Sequence, residues 1–416
     1  MDVFKEELDH RLLIETSLED IAESSGNPFE NLDKVTLFEK LVHEKDAKRI
    51  IERFMKKIEP FRNRLTDDMT QEEKEEIRFL FLELTEEMDK KKIFFDEPFL
   101  GSFIRKGYLK STESFFSKAQ EHDSSLNFTD LFQAVRNVWI MNSLQLLFDM
   151  DVQMTSSIFS YSMLYPYTDN LLDDPEISLS DKKAFNERLQ LVLEGTIPSD
   201  VSHEESKIFE MIRNIELQYE RESYPNVYQS LLMIQDAQVL SLSQNNPRKL
   251  SPNILLPISF YKGGASVLAD GFLCKGELSE TEMHFSFGYG AFLQLLDDLQ
   301  DIDCDRKDNH WTLFSIKHQE EIYDREIIKV LCYISKVLDK YTIYTPEEET
   351  LKRIIRECTR LMIMDVVGQN PHLVSEKLYK CLESHCRVRL SFFKEYHEKF
   401  SDWSSLFSPA ANQQNR

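Results

Sequence analysis

The segment GYGAFLQLLDDLQDIDCDRKDNHWTLF occupies residues 288–314. Its first half is apolar apart from Gln294, and its second half is crowded with carboxylates. Asp297, Asp301 and Asp305 recur at steps of four, which places them on one face of a helix. Asp298 and Asp303 flank that stripe, while Leu293 and Leu296 face elsewhere and anchor the helix. Five carboxylates between positions 297 and 305 repel one another. Without counter-ions such a run costs stability, and cations relieve it. An all-oxygen donor set points to a hard divalent ion, Mg²⁺ or Mn²⁺. A Ca²⁺ loop of the EF-hand type does not fit, because the glycine at its sixth position and the glutamate at its twelfth are both absent.

A second acidic helix end lies upstream, in YSMLYPYTDNLLDDPE at residues 161–176. Asp169 and Asp173 are four apart, Asp174 follows, and Pro175 stops the helix. These carboxylates are expected in the last turn, where the negative pole of the helix attracts a cation. Tyr165 and Tyr161 lie one and two turns below them on the same face. Between the two acidic ends sits YKGGAS, residues 261–266. A lysine before a glycine pair in an apolar helix suggests a break with a cation beside it. Six of the 11 glycines fall between positions 263 and 290. Glycine costs about 1 kcal/mol against alanine inside a helix. Concentrating that cost suggests backbone breaks or empty volume, or else a close crossing of two helices.

The rest of the chain reads as helix. It has 416 residues, 41% hydrophobic and 30% charged, enough for a large core. Long amphipathic stretches with few breakers favour an all-α fold. In residues 71–90, Ile77, Phe81, Leu84 and Met88 share a face, and Thr70 with Glu73 forms a capping-box pattern at the start. More apolar helices are expected at Thr129–Met150 and Val152–Leu172. Others are expected near 182–193, 203–220, 225–243, 253–273, 279–303, 323–340, 346–367 and 372–398. The division expected is an N-terminal helical layer over residues 1–125, a main bundle over 126–402 and a flexible tail over 403–416. No repeat and no βαβ pattern is present.

The formal net charge is −23. So acidic a surface repels phosphate backbones, which argues against nucleic-acid binding, although an anionic ligand can still bind through metal ions. No run of 18 apolar residues marks a membrane span. The N-terminal stretch lacks the features of a signal peptide. Six cysteines with no CxxC pair read as reduced thiols. Together these give the expectation of a cytoplasmic protein.

At its acidic motifs the chain resembles the class I isoprenoid (terpenoid) synthase superfamily. DNLLDD at 169–174 is similar to the first Asp motif of squalene and phytoene synthases and to that of the large bacterial terpene synthases. YGAFLQLLDDLQD at 289–301 resembles the GxxFQxxDDxxD motif of polyprenyl diphosphate synthases. The spacing Asp297, Asp301, Asp305-Arg306 resembles the second motif of the large terpene synthases, and YKGG at 261–264 sits where polyprenyl synthases contact diphosphate. The motifs cover roughly residues 130–320. Departures exist too: the first motif is not DDxxD, only Lys182 and Lys183 follow it as basic residues, and the NSE triad of microbial cyclases is absent.

The resemblance implies an antiparallel helix bundle around a deep apolar cavity, with both Asp motifs at its mouth. Asp169, Asp173 and Asp174 would hold metal from one side, and Asp297, Asp298, Asp301 and Asp305 from the other. About three Mg²⁺ ions, or Mn²⁺ in their place, would neutralise a diphosphate leaving group. Lys262, Arg306 and Lys307 would contact that diphosphate. Asp169, Asp173, Asp297 and Asp301 would be the catalytic set, and Tyr161, Tyr165, Phe287 and Phe292 would line the cavity, where aromatic faces stabilise a cation. The implied activity is a terpene synthase ionising one prenyl diphosphate, in a chain that could pair as a homodimer. Two alternatives are a prenyltransferase joining two diphosphates and a non-catalytic scaffold that kept the fold.

Overall fold

The computed structural model describes residues 8–30, 32–61, 70–123, 126, 128–173, 177–199, 201–245, 251–317, 321–342 and 345–407. Among these residues every regular element is helical. The N-terminal part contains α1 (His10–Glu23), α2 (Leu37–Ile58), α3 (Gln71–Lys90), α4 (Leu100–Arg105) and α5 (Tyr108–His122). The middle contains α6 (Phe128–Leu147), α7 (Ser156–Asp173), α8 (Leu179–Leu193), α9 (His203–Gln218) and α10 (Pro225–Ser241). Then come α11 (Pro252–Lys275), α12 (Glu280–Gln300), α13 (Ile302–Asp308) and α14 (Asp324–Lys340). The chain closes with α15 (Pro346–Gln369), α16 (Glu376–His385) and α17 (Leu390–Phe407). No described helix is long and apolar enough to cross a membrane.

Local chemistry explains several helix starts. Thr36, Thr70, Ser202, Ser279 and Thr345 each accept from the backbone three residues on, and the glutamate there reaches back to complete the box. Each box satisfies two of the N–H groups that a helix start leaves open. The expected face of α3 is buried at Ile77, Leu84 and Met88, with Phe81 partly buried beside it.

Two expected boundaries differ. The single helix expected at 372–398 is two, with Cys386 extended between them. The break lets Arg389 donate to buried Glu44 on α2 from both its backbone and its guanidinium. It also brings the Leu390 carbonyl against Gly368 of α15, where a methyl group would not fit. The helix expected over 279–303 ends at Gln300, and α13 starts afresh at Ile302. At the other end of the chain, α17 runs on to Phe407, past the expected start of the tail.

The centre of the molecule is the antiparallel pair α11–α12. Ser259 meets Asp298, Gly263 meets Gly290, and Lys275 pairs with Glu282 at the far end. Around this pair stand α6, α7, α10, α14 and α1. So α1, part of the expected N-terminal helical layer, packs directly on the central helices. His10 stacks on Tyr261 with ring centroids 5.1 Å apart.

The glycine cluster turns out to be a crossing. A Cβ on Gly263 would sit 2.3 Å from the Gly290 carbonyl oxygen, and one on Gly264 would sit 2.6 Å from the Phe287 ring. A Cβ on Gly288 would meet Val337 at 3.0 Å. The expected break at Gly263-Gly264 is therefore absent: α11 is continuous, and neighbouring atoms fill the space over these glycines.

Candidate active site at the acidic end of the bundle

The second acidic run forms at the junction of α12 and α13. Asp297 and Asp301 are exposed, Asp305 is half-buried and Asp298 is only 4% exposed. A buried carboxylate needs hydrogen bonds, and Asp298 has them. Ser259 Oγ donates to Oδ2 at 2.7 Å, and Gln294 Nε2 donates to Oδ1 at 2.9 Å. Gln294 also reaches Asp297 Oδ2 at 3.3 Å. Burial outweighs these donors and the charge of Lys262, and pushes the Asp298 carboxyl up to about 6.

The stripe read from the spacing forms across the helix junction. The Asp305 backbone donates to the Asp301 carbonyl at 2.8 Å, so the four-residue step survives the break at Gln300. Burial, followed by the charges of Asp298 and Asp301, pushes Asp305 up to about 7, while its partner Thr312 pulls the other way. Asp301 is raised by burial and by Asp297, and lowered by Lys262. Four carboxylates thus share one electrostatic neighbourhood, and Lys262 faces it from α11.

Ser259, Gln294 and His310 join this site without having been singled out by sequence. His310 Nδ1 lies 2.9 Å from Asn245 Oδ1, and burial and then Lys262 hold its imidazole below the usual range. Trp311 and Gln244 exchange hydrogen bonds of 3.0 Å, which ties the segment after α13 to the short turn that follows α10. Gln294 lies four residues before Asp298, a spacing that signals a shared face. Ser259 carries no such signal.

Other expected contacts are placed elsewhere. The Arg306 guanidinium donates to the Ser315 and Lys317 carbonyls and to Tyr323 Oη, so it holds the segment after α13 together. Lys307 and Asp303 are exposed. Phe287 and Phe292 are fully buried, and Phe287 packs on Gly264. Tyr161 is buried as well.

The first acidic run is reached only through its backbone. The side chains of Tyr165, Asp169 and Asp173, and the whole of Asp174, lie outside the described residues. Helix direction nevertheless follows from neighbouring contacts. Ser157 Oγ donates to the Leu273 carbonyl at 2.7 Å. Five residues further along α7, Ser162 accepts from Asn137, which neighbours Asp270. Moving up α7 is therefore moving back along α11. So α7 is antiparallel to α11 and parallel to α12, and both acid-bearing helices end on the same side of the bundle.

Among the described residues no three His, Cys, Asp or Glu side chains converge as a ligand set for one ion. The oxygen-only chemistry and mutual repulsion of Asp297, Asp298, Asp301 and Asp305 do fit a hard divalent cation. An open groove of about 400 Å³ is lined by Phe103, Lys106, Leu146, Asp149, Val152 and Leu351. It lies by the C-terminus of α6 and the segment leading into α7, at the opposite end from the acids. It is not the cavity expected beneath them. No protein-family model, curated protein or solved structure matches the chain.

Proposed function

We propose that the chain is a Mg²⁺-dependent class I isoprenoid synthase that ionises a prenyl diphosphate. The observation that supports this reading is the shared direction of the two acid-bearing helices. Asp297, Asp298, Asp301 and Asp305 share one electrostatic neighbourhood with Lys262, and the backbone of α7 ends on the same side of the bundle. Asp297, Asp301 and Asp305 would hold the metal, with Ser259 and Gln294 orienting Asp298 behind them. Bound there, Mg²⁺ supplies Lewis-acid neutralisation of a diphosphate leaving group. Lys262 adds a fixed positive charge on the α11 side, where negative charge develops.

Incubation with geranyl, farnesyl, geranylgeranyl and geranylfarnesyl diphosphates and Mg²⁺, followed by mass spectrometry, tests the proposal. A hydrocarbon or terpene alcohol from a single diphosphate supports it. A product formed only from two diphosphates makes the chain a prenyltransferase. Turnover of none, with no rise in melting temperature from Mg²⁺ plus pyrophosphate, leaves a helical scaffold.

A further inference from the structure

Beneath the acidic end, the bundle contains a polar layer that the proposed chemistry does not use. Asp270 lies eight residues along α11 from Lys262, about 12 Å at the rise of a helix. It is 1% exposed, and among the described residues neither carboxylate oxygen has a partner at good hydrogen-bond geometry. The Asn137 amide on α6 comes near enough to act as a weak donor to it, but is shared with Ser162 Oγ at 3.4 Å and Met141 Sδ at 3.5 Å. Ser286 Oγ on α12 would lie 3.1 Å from a Cβ on Gly271, the next residue of α11, and it too is buried without a partner. Ser160 on α7 is fully buried and unpartnered as well. It lies one turn above Ser157, which bonds to Leu273, and the antiparallel register brings it to the level of Asp270.

Four helices thus place polar groups in one layer of an otherwise apolar core, and the Asp270 carboxylate oxygens and the Ser160 and Ser286 hydroxyls have no partner at good hydrogen-bond geometry. A hydroxyl or amide left dry costs about 1–3 kcal/mol, and an unpaired buried charge costs far more. Among the described residues no charged side chain is placed against Asp270. Its titratable neighbour is Cys274, one turn on, whose thiol donates to the Met141 carbonyl at 3.4 Å. Two consequences follow. A lone carboxyl in such surroundings relieves its cost by keeping its proton. Donors and acceptors left open together are met by water, which makes two to four bonds inside proteins.

We propose that Asp270, with Asn137, Ser160, Ser162 and Ser286, forms an internal hydrated acid site whose ligand is water and whose carboxyl stays neutral. The site stands independently of the reading of the acidic end. It gives the bundle an exchangeable proton deep below the surface. A small cation is the rival occupant, and it would hold the carboxylate ionised instead. Burial acts in the same direction as the geometry, raising the Asp270 carboxyl well above the usual range.

Infrared spectroscopy and ¹³C-aspartate NMR on the full chain near pH 8.5 test this. There Asp298 and Asp305, held up to about 6 and about 7, are ionised. A protonated aspartate signal is expected in the wild type, lost in Asp270→Asn, unchanged by chelator or by exchanging Na⁺ for K⁺, and shifted in D₂O within hours. If Asp270→Asn fails to fold, the wild-type spectrum alone decides. Absence of any protonated aspartate signal overturns the proposal in favour of an ionised, cation-bound site. A protonated signal that resists D₂O for days overturns the hydrated site in favour of a dry one.

Discussion

Replacing Gly290 by alanine tests how the central pair builds the site. The new methyl carbon would lie 2.2 Å from the Gly263 carbonyl oxygen, 2.8 Å from its carbon and 3.0 Å from Val267 Cβ. Carbon atoms in good contact stand about 3.5–4.0 Å apart, so α11 and α12 must part by roughly 1 Å at the crossing. Both partners at the closest point are backbone, so no side-chain rotation relieves the clash. Overpacking of this kind costs about 1–3 kcal/mol or more. Alanine returns only about 0.5–1 kcal/mol of helix preference. A net loss near 2 kcal/mol is expected, read from urea midpoints followed by circular dichroism. The effect reaches the acidic end as well. The 2.7 Å bond from Ser259 to Asp298 bridges the same two helices, and a separation of roughly 1 Å takes it outside hydrogen-bond range. Stabilisation by Mg²⁺ plus pyrophosphate should therefore weaken along with the fold. Gly101→Ala in α4 is the control, since its methyl meets only Arg105 Nη1 at 3.5 Å, and it should be neutral or slightly stabilising. If Gly290→Ala proves as stable as Gly101→Ala, the crossing is looser than described and the reasoning fails.

Asp297→Ala should lower turnover by roughly 10²–10³ through loss of one electrostatic stabiliser while leaving the melting temperature within a few degrees; full activity would remove Asp297 from the site. Mg²⁺ and pyrophosphate should raise the melting temperature together by more than the sum of their separate effects, because each completes the other's site; purely additive shifts would count against a shared site. Asp270 is raised in the fold above its unfolded value of about 3.9, so its stabilising contribution is complete below that pH and is lost as pH rises towards the folded value. Asp270→Asn is neutral throughout, so it should gain on the wild type as pH rises above about 4, and a gap constant with pH in urea melts would show Asp270 to be unperturbed. Glu44→Ala should cost about 1–3 kcal/mol, because buried Glu44 accepts both the Arg389 backbone and its guanidinium across α2 and the start of α17; a loss below about 0.5 kcal/mol would make that link incidental.

The helical class was legible in the sequence because it rests on local rules. Capping pairs such as Thr70 with Glu73, and the apolar face of Ile77, Leu84 and Met88, act within a few residues of chain, so no tertiary partner is needed to read them. The acidic stripe was legible for the same reason: a step of four is a property of one helix. Where an outcome depended on a distant segment, local pattern was silent or pointed the wrong way. The glycines at 263, 264, 288 and 290 carry the same propensity cost whether they break a helix, leave a void or let two helices touch, and only the crossing of α11 with α12 selects the last. Arg306 follows the acids directly in sequence, yet the carbonyls of Ser315 and Lys317 claim it. Lys262 meets Asp298 and Asp301 only because antiparallel packing folds position 262 back onto the end of α12. Asp270 reads as an ordinary helix residue until four helices close around it and shut out the solvent that would have stabilised its charge. Secondary structure is decided by short-range sterics and hydrogen bonds; the proton affinities and partners of the site are decided by burial and by charges brought together from far along the chain, and those exist only once the bundle is packed.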